Sequence, residues 1–232
     1  MTRNKLERFA EMKTFPNVVE PSFQEIFQKE YTLKGQWSKS FFRNDQPLIL
    51  ELGCGKGEYT VNLAKHNPSV NYLGIDIKGA RMWKGAKTAL DEGVPNAGFL
   101  RTRIDFINSF FAENEVDEIW VTFPDPQPKK AKKRLISPKF LSAYRKFLKP
   151  HALIHLKTDN QDLFAYMKEV IQLNDLPVIS ISEDVHQTDD NKLEVVRNIQ
   201  TFYEQQFVAM GKKINYVCFH LNSSEILQEP DE

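Results

Sequence analysis

The sequence predicts an α/β fold: a doubly wound, mostly parallel sheet with helices on both faces. Three observations predict it. Short apolar runs alternate with helical patterns from residue 47 onward, as repeated strand–helix–strand units do. The first apolar run empties into a glycine-rich turn, E-L-G-C-G-K-G-E at 51–58, where a sheet of this kind turns from strand into helix. The chain has 232 residues, enough for one large domain that buries roughly 70% of its unfolded surface.

The elements follow in order. Residues 1–45 precede the alternating core and read as a helical extension, punctuated by Pro16 and Pro21. P-L-I-L-E-L (47–52) is a buried strand, and 58–65 a helix with Tyr59, Leu63 and Ala64 on its apolar face. N-Y-L-G-I-D (71–76) is a second strand; 78–92 is a helix stopped by Gly93 and Pro95. Strands follow at 97–103 and 116–123, then a helix at 138–149 closed by Pro150. H-A-L-I-H-L-K-T (151–158) is a fifth strand and 160–173 a helix. The runs 177–182 and 214–221 are two further strands, with a helix near 197–210 between them. The expected divisions are an extension (1–45), a core domain (46–222) and an acidic tail (223–232).

Composition narrows the function classes. Hydrophobic residues make up 41% and charged residues 27%, the profile of a globular rather than a disordered or fibrous chain. No apolar run reaches the ~18 residues of a membrane span, and the first residues lack the apolar core of a signal peptide. Cys54 and Cys218 can form neither a disulfide framework nor a zinc site, so a reducing cytoplasm is expected. The 31 basic and 31 acidic side chains cancel, which disfavours a non-specific polyanion binder. They are nonetheless segregated. Residues 129–149 hold nine Lys or Arg and no acid, residues 78–87 add Lys78, Arg81, Lys84 and Lys87, and 182–232 carry ten acids against four bases.

The glycine turn is the strongest local signal. Gly53, Gly55 and Gly57 free the backbone to approach a ligand. The spacing is G-x-G-x-G, not the G-x-G-x-x-G of dinucleotide enzymes, and it is flanked by Glu51 and Glu58. A carboxylate at Glu51 repels a pyrophosphate and attracts the cationic groups of S-adenosylmethionine. Asp76, at the end of the second strand, suits ribose hydroxyls in either cofactor. Asp105 follows the third strand, within reach of an adenine amine. After the fourth strand comes F-P-D-P-Q-P-K-K (123–130). Its prolines stiffen a loop that carries Asp125 beside the basic run. An acidic point next to a cationic surface suits a polyanion that presents a neutral, proton-donating edge, such as a nucleic-acid base.

Taken together, E-L-G-C-G-K-G-E, Asp76, F-P-D-P-Q-P-K-K, K-T-D at 157–159 and T-F-Y-E at 201–204 resemble the tRNA (guanine-N7-)-methyltransferase family of class I methyltransferases, over residues 45–221. The resemblance implies a Rossmann-like, seven-stranded sheet whose last strand is antiparallel. It implies methyl transfer from S-adenosylmethionine to N7 of a guanine in the tRNA variable loop, with no metal. By the same resemblance Glu51, Asp76, Asp105 and Asp125 bind the cofactor; Gly53 and Gly55 are expected to bind it through the glycine turn, and Asp125, on its stiff loop at the strand end, is also read as the catalytic residue. Lys129, Asp159, Thr201, Phe202, Tyr203 and Glu204 match substrate-binding positions. The basic loop departs from the family at Gln127, where Trp is usual, and K-K-A-K-K-R-L lacks the usual Arg-His element.

The chemistry agrees with the residue types. Guanine N7 carries a lone pair and no proton, so a site without a Ser-His-Asp or Cys-His constellation is sufficient. The base becomes cationic, which nearby carboxylates stabilise. An acid such as Glu204 or Asp159 suits the two donors of guanine's Watson–Crick edge, worth roughly 1–3 kcal/mol of base discrimination. His151 and His155 fall within a strand and read as structural.

Overall fold

The computed structural model describes residues 4–221 and 226–230. In chain order the elements are α1 (Lys5–Met12), β1 (Val18–Val19), α2 (Phe23–Ile26), β2 (Leu48–Leu52), α3 (Glu58–His66), β3 (Asn71–Asp76), α4 (Gly79–Asp91) and β4 (Ala97–Arg101). There follow β5 (Val116–Thr122), α5 (Pro138–Tyr144), β6 (Leu148–Thr158), α6 (Gln161–Leu173), β7 (Val178–Ser182), α7 (Glu194–Asn198), α8 (Phe202–Ala209) and β8 (Asn215–His220). One sheet takes them in the order β1-β4-β3-β2-β5-β6-β8-β7. The pairs from β1 to β6 are parallel, and β8 runs antiparallel to both β6 and β7. The α/β class, the mostly parallel sheet and the antiparallel last strand are as expected.

Period-two alternation builds two cores from one sheet. Leu48, Leu50 and Leu52 point into a cluster with α5 and α6; Ile49 points the other way, into a cluster with Met12 of α1, Tyr59 and Leu63 of α3, and Met82 and Ala86 of α4. The chain winds from β2 outward through β3 and β4, then returns to lay β5 on the other side of β2. A crevice opens at that switch point, beyond the strands' carboxyl ends.

Several elements differ from expectation. The sheet has eight strands because Val18 and Val19 of the N-terminal extension pair with Phe99 and Leu100 at the edge. The extension is only partly helical, and Trp37 anchors it, fully buried and donating through Nε1 to the Phe110 carbonyl at 2.8 Å. The helix expected to reach residue 149 stops at Tyr144, since Leu148 already pairs with Val116. Pro150 therefore lies within β6, in a bulge where His151 has φ 64°. The helix near 197–210 is two helices, broken between Asn198 and Phe202. His155 is structural: its ring stacks on Trp120 at 4.0 Å and pairs with Glu118 at 3.1 Å. Of the acidic tail, residues 222–225 and 231–232 lie outside the described residues. Within the described part Leu227 is buried and Gln228 exchanges hydrogen bonds with Asn174 at the end of α6.

Candidate active site

The crevice is a cavity of about 720 Å³ lined by the ends of β2 to β6, the loops that follow them, and the start of α8. Its floor is the glycine turn. Gly53, Gly55 and Gly57 have φ of 77°, 56° and 69°, the left-handed region that a side chain would strain. A Cβ at Gly55 would meet nothing nearer than the Gly53 carbonyl at 3.9 Å, so glycine there leaves cavity space open. Gly57 is different: a Cβ would sit 2.5 Å from Phe99 Cε1, in the seam between α3 and the sheet.

Glu51, next to last in β2, is almost fully buried. Thr60 donates to its Oε2 through the backbone N at 2.8 Å and through Oγ1, and Thr122 Oγ1 donates to Oε1 at 2.7 Å. Burial nevertheless pushes the carboxyl up to about 7, the three hydrogen bonds opposing the rise and the charge of Asp76 adding to it. Asp76 organises the turn: its Oδ2 accepts from Gly55 N at 2.9 Å and its Oδ1 from Lys78 N at 2.7 Å. Asp105 stands on the rim between Arg103 at 3.2 Å and Lys139 at 3.6 Å. Asp125 is exposed at the rim and accepts from Gln127 N at 3.1 Å. It lies between two non-glycine residues in the left-handed region, Phe123 (φ 47°) and Gln127 (φ 46°), each followed by proline. Backbone held this way costs on the order of 1–3 kcal/mol per residue and clusters at functional sites.

Glu51, Gly53, Gly55, Asp76, Asp105, Asp125, Asp159, Thr201 and Tyr203 all line this one cavity. Asp159 Oδ2 accepts from Lys212 Nζ at 2.6 Å. Thr201 caps α8, accepting from Glu204 N at 3.1 Å. Lys129 and Phe202 are exposed but lie outside the cavity wall. Glu204 does not reach the cavity: it is fully buried, with Oε1 at 2.7 Å from Lys157 Nζ.

Several residues at the site were not foreseen from the sequence. Lys56 of the glycine turn places its ammonium 4.3 Å above the Phe202 ring and 4.8 Å above Tyr203. Glu58 accepts from Phe202 N at 3.1 Å, so the turn holds the start of α8 directly. Thr60 and Thr122 hold Glu51 and carry no local signal in the sequence. Ile77, about half exposed on the cavity wall, does carry one, an apolar side chain just past a strand end. Burial raises the Cys54 thiol well above its usual range, with Glu51 and Asp76 adding to the shift, which removes it as a nucleophile.

Comparison with known proteins places this geometry. Residues 45–217 match a family described as "Putative methyltransferase". The chain is 49% identical over 231 residues to a tRNA (guanine-N(7)-)-methyltransferase of Bacteroides thetaiotaomicron, covering 100% of this chain and 91% of the relative. It is 48% identical over 222 residues to the enzyme of the same description from Christiangramia forsetii, covering 95% and 99%. Among solved structures, the 16S rRNA methyltransferase KamB superposes with a TM-score of 0.57 at 15% identity, over 75% of this chain and 87% of that one. A 16S rRNA (adenine(1408)-N(1))-methyltransferase variant from Catenulisporales acidiphilia, solved with its cosubstrate SAM, superposes with a TM-score of 0.54 at 15% identity, over 85% and 93%. These two likenesses concern the fold.

Proposed function

The chain belongs to the tRNA (guanine-N(7)-)-methyltransferase family and is a methyltransferase; on that premise we propose that it transfers the methyl group of S-adenosylmethionine to N7 of a guanine in the tRNA variable loop. The observation that carries this reading is the gathering of five carboxylates, Glu51, Asp76, Asp105, Asp125 and Asp159, around one cavity with a cationic rim.

The cavity suits the cofactor on three counts. Its volume of about 720 Å³ lies within the range of small-molecule sites. The carboxyls on its floor, Glu51 and Asp76, complement a cation. The space above Gly55 admits a ligand against bare backbone. When bound, S-adenosylmethionine supplies a methyl group activated by a positively charged sulfur. Three donors hold the Glu51 carboxyl on the floor in one orientation, and a bound cation favours its ionised form. Asp76 keeps lone pairs free for hydroxyl donors after serving Gly55 and Lys78. Ile77 and Ile104 offer apolar flanks to a planar ring, and Asp105 an acceptor for its amine.

No residue is asked to remove a proton, because guanine N7 has none. Asp125 keeps negative charge where the methylated base turns cationic, and Asp159, paired with Lys212, offers its second oxygen as an acceptor. The rigid loop around Asp125 holds the carboxylate in place during the step, and alignment supplies the remainder. Lys129, Lys132, Lys133, Lys78 and Arg81 are all exposed and make the phosphate contacts that position the RNA. The enzyme acts in the cytoplasm on this reading; among the described residues no helix is long and apolar enough to cross a membrane.

Incubation with methyl-labelled cofactor and bulk tRNA, followed by nucleoside mapping, tests the proposal. Label is expected in 7-methylguanosine. Label in another nucleoside, or undiminished incorporation into a transcript carrying 7-deazaguanine in place of guanine, would reject it.

A further inference from the structure

Lys157 is a fully buried lysine near the carboxyl end of β6, two residues before Asp159. An isolated ammonium there would carry a large desolvation cost. All three of its donors are used: it meets Glu204 Oε1 at 2.7 Å, the Ile199 carbonyl at 3.0 Å and the Val196 carbonyl. The two carbonyls belong to the end of α7, where a cation also complements the helix dipole. Glu204, equally buried, sits in the first turn of α8, and its Oε1 takes a second partner in His186 Nε2 at 3.0 Å. One ammonium therefore ties together the strand below, the end of α7 and the start of α8.

The segment so tied is the one that presents Thr201 and Tyr203 to the cavity. On its outer side Lys56 lies over the two aromatic rings and Glu58 accepts from Phe202 N, and further along α8 Phe207 meets Phe123 and Lys212. The buried pair is the stiffer attachment. T-F-Y-E also has the form of a helix-capping sequence, Thr at the cap and Glu three residues on. Only half of that box forms: Thr201 accepts from Glu204 N, while the Glu204 carboxylate turns inward to Lys157.

We propose that Glu204 is a positioning residue and not a guanine contact: with Lys157 it forms a buried lock that seats the first turn of α8, and with it Thr201 and Tyr203, on the cavity wall. The proposal rests on the proposed function and on the resemblance that gives Thr201 and Tyr203 as substrate-binding positions. Lys157, hidden in the sheet, is then as important to tRNA binding as any exposed residue.

Three variants and two readouts test it. Glu204→Ala and Lys157→Met should each raise the tRNA KM by on the order of tenfold with kcat within about twofold, since they loosen binding rather than the chemical step. Glu204→Gln keeps an acceptor for Lys157 and should hold the KM within about threefold of wild type. Amide hydrogen exchange should show protection of residues 202–209 reduced in the Ala and Met variants and retained in the Gln variant. Should Lys157→Met fail to fold, the Ala and Gln pair still decides. Glu204→Gln as impaired as Glu204→Ala, with exchange of α8 unchanged in both, would overturn the proposal and return Glu204 to the substrate. A folded Lys157→Met with wild-type KM and wild-type protection would overturn it as well. Exchange needs no methyl transfer, so a wild-type protein inactive on tRNA would defeat the functional reading while the lock was still judged.

Discussion

Glu51 gives the sharpest quantitative expectation. Its carboxyl titrates near 7 in the free protein because burial outweighs three hydrogen bonds. A cationic cofactor favours the ionised form, so binding should strengthen as pH rises through that value. With a pKa of about 7, roughly 9% of the sites are ionised at pH 6 and roughly 91% at pH 8, a ratio of about ten. Cofactor affinity measured by calorimetry should therefore rise about tenfold from pH 6 to pH 8. Glu51→Gln fits the same space and can still meet Thr60 and Thr122 but carries no charge. It should lose the pH dependence, and at pH 8 bind about 10- to 100-fold more weakly, the worth of a charge-assisted hydrogen bond. Stability runs the opposite way. The carboxyl is raised from 4.5 on folding, so the native state holds more protons than the unfolded one between pH ~4.5 and ~7, and wild-type stability should fall across that window and level off above it. Wild-type affinity that is flat with pH, or a Glu51→Gln variant that binds as tightly as wild type at pH 8, would refute the role assigned to this carboxylate.

Other expectations follow from individual positions. Asp125→Asn keeps an acceptor for Gln127 N and lies at the surface, so melting should shift by no more than about 2 °C while turnover falls about 100-fold; wild-type turnover at subsaturating tRNA would remove Asp125 from the chemistry. Gly55→Ala and Gly57→Ala should separate binding from folding. The first adds a methyl to open cavity and costs about 1–2 kcal/mol in denaturation for its left-handed backbone together with most of the cofactor affinity. The second drives a methyl into Phe99 and should cost roughly 3–5 kcal/mol. Changing Lys129, Lys132 and Lys133 together to Ala should raise the tRNA Kd and flatten its salt dependence by up to about 0.9 for each phosphate no longer neutralised; an unaltered slope would mean that the loop faces away from the RNA.

Much of this arrangement could be read along the chain because its signals are local. The second strand was legible to the residue, since N-Y-L-G-I-D is an apolar run closed by an acid and a helix start. The glycine turn was legible because φ above zero at Gly53, Gly55 and Gly57 favours that residue type. Other features depended on partners distant in sequence. Val18 and Val19 form a strand only because the edge of β4 is open to them. Pro150 marks a bulge rather than a helix stop because β5 and β6 had already begun to pair. The break between α7 and α8 arises where the Val196 and Ile199 carbonyls turn to Lys157, 39 and 42 residues upstream in the sheet. Glu204 reads as a ligand for guanine, and an acid in a motif gives no sign that its carboxylate turns inward to Lys157. The capping form of T-F-Y-E was the available clue that it belonged to the helix start.

On the proposed function, gathered negative charge and alignment suffice for the methyl transfer, with no residue removing a proton. Single-turnover methyl transfer at saturating cofactor and tRNA, followed from pH 6.5 to 9, tests that claim most directly. The account predicts a rate constant that stays within about twofold across that range. A rate constant that climbs about tenfold per pH unit over part of the range would reveal a base at work and contradict it.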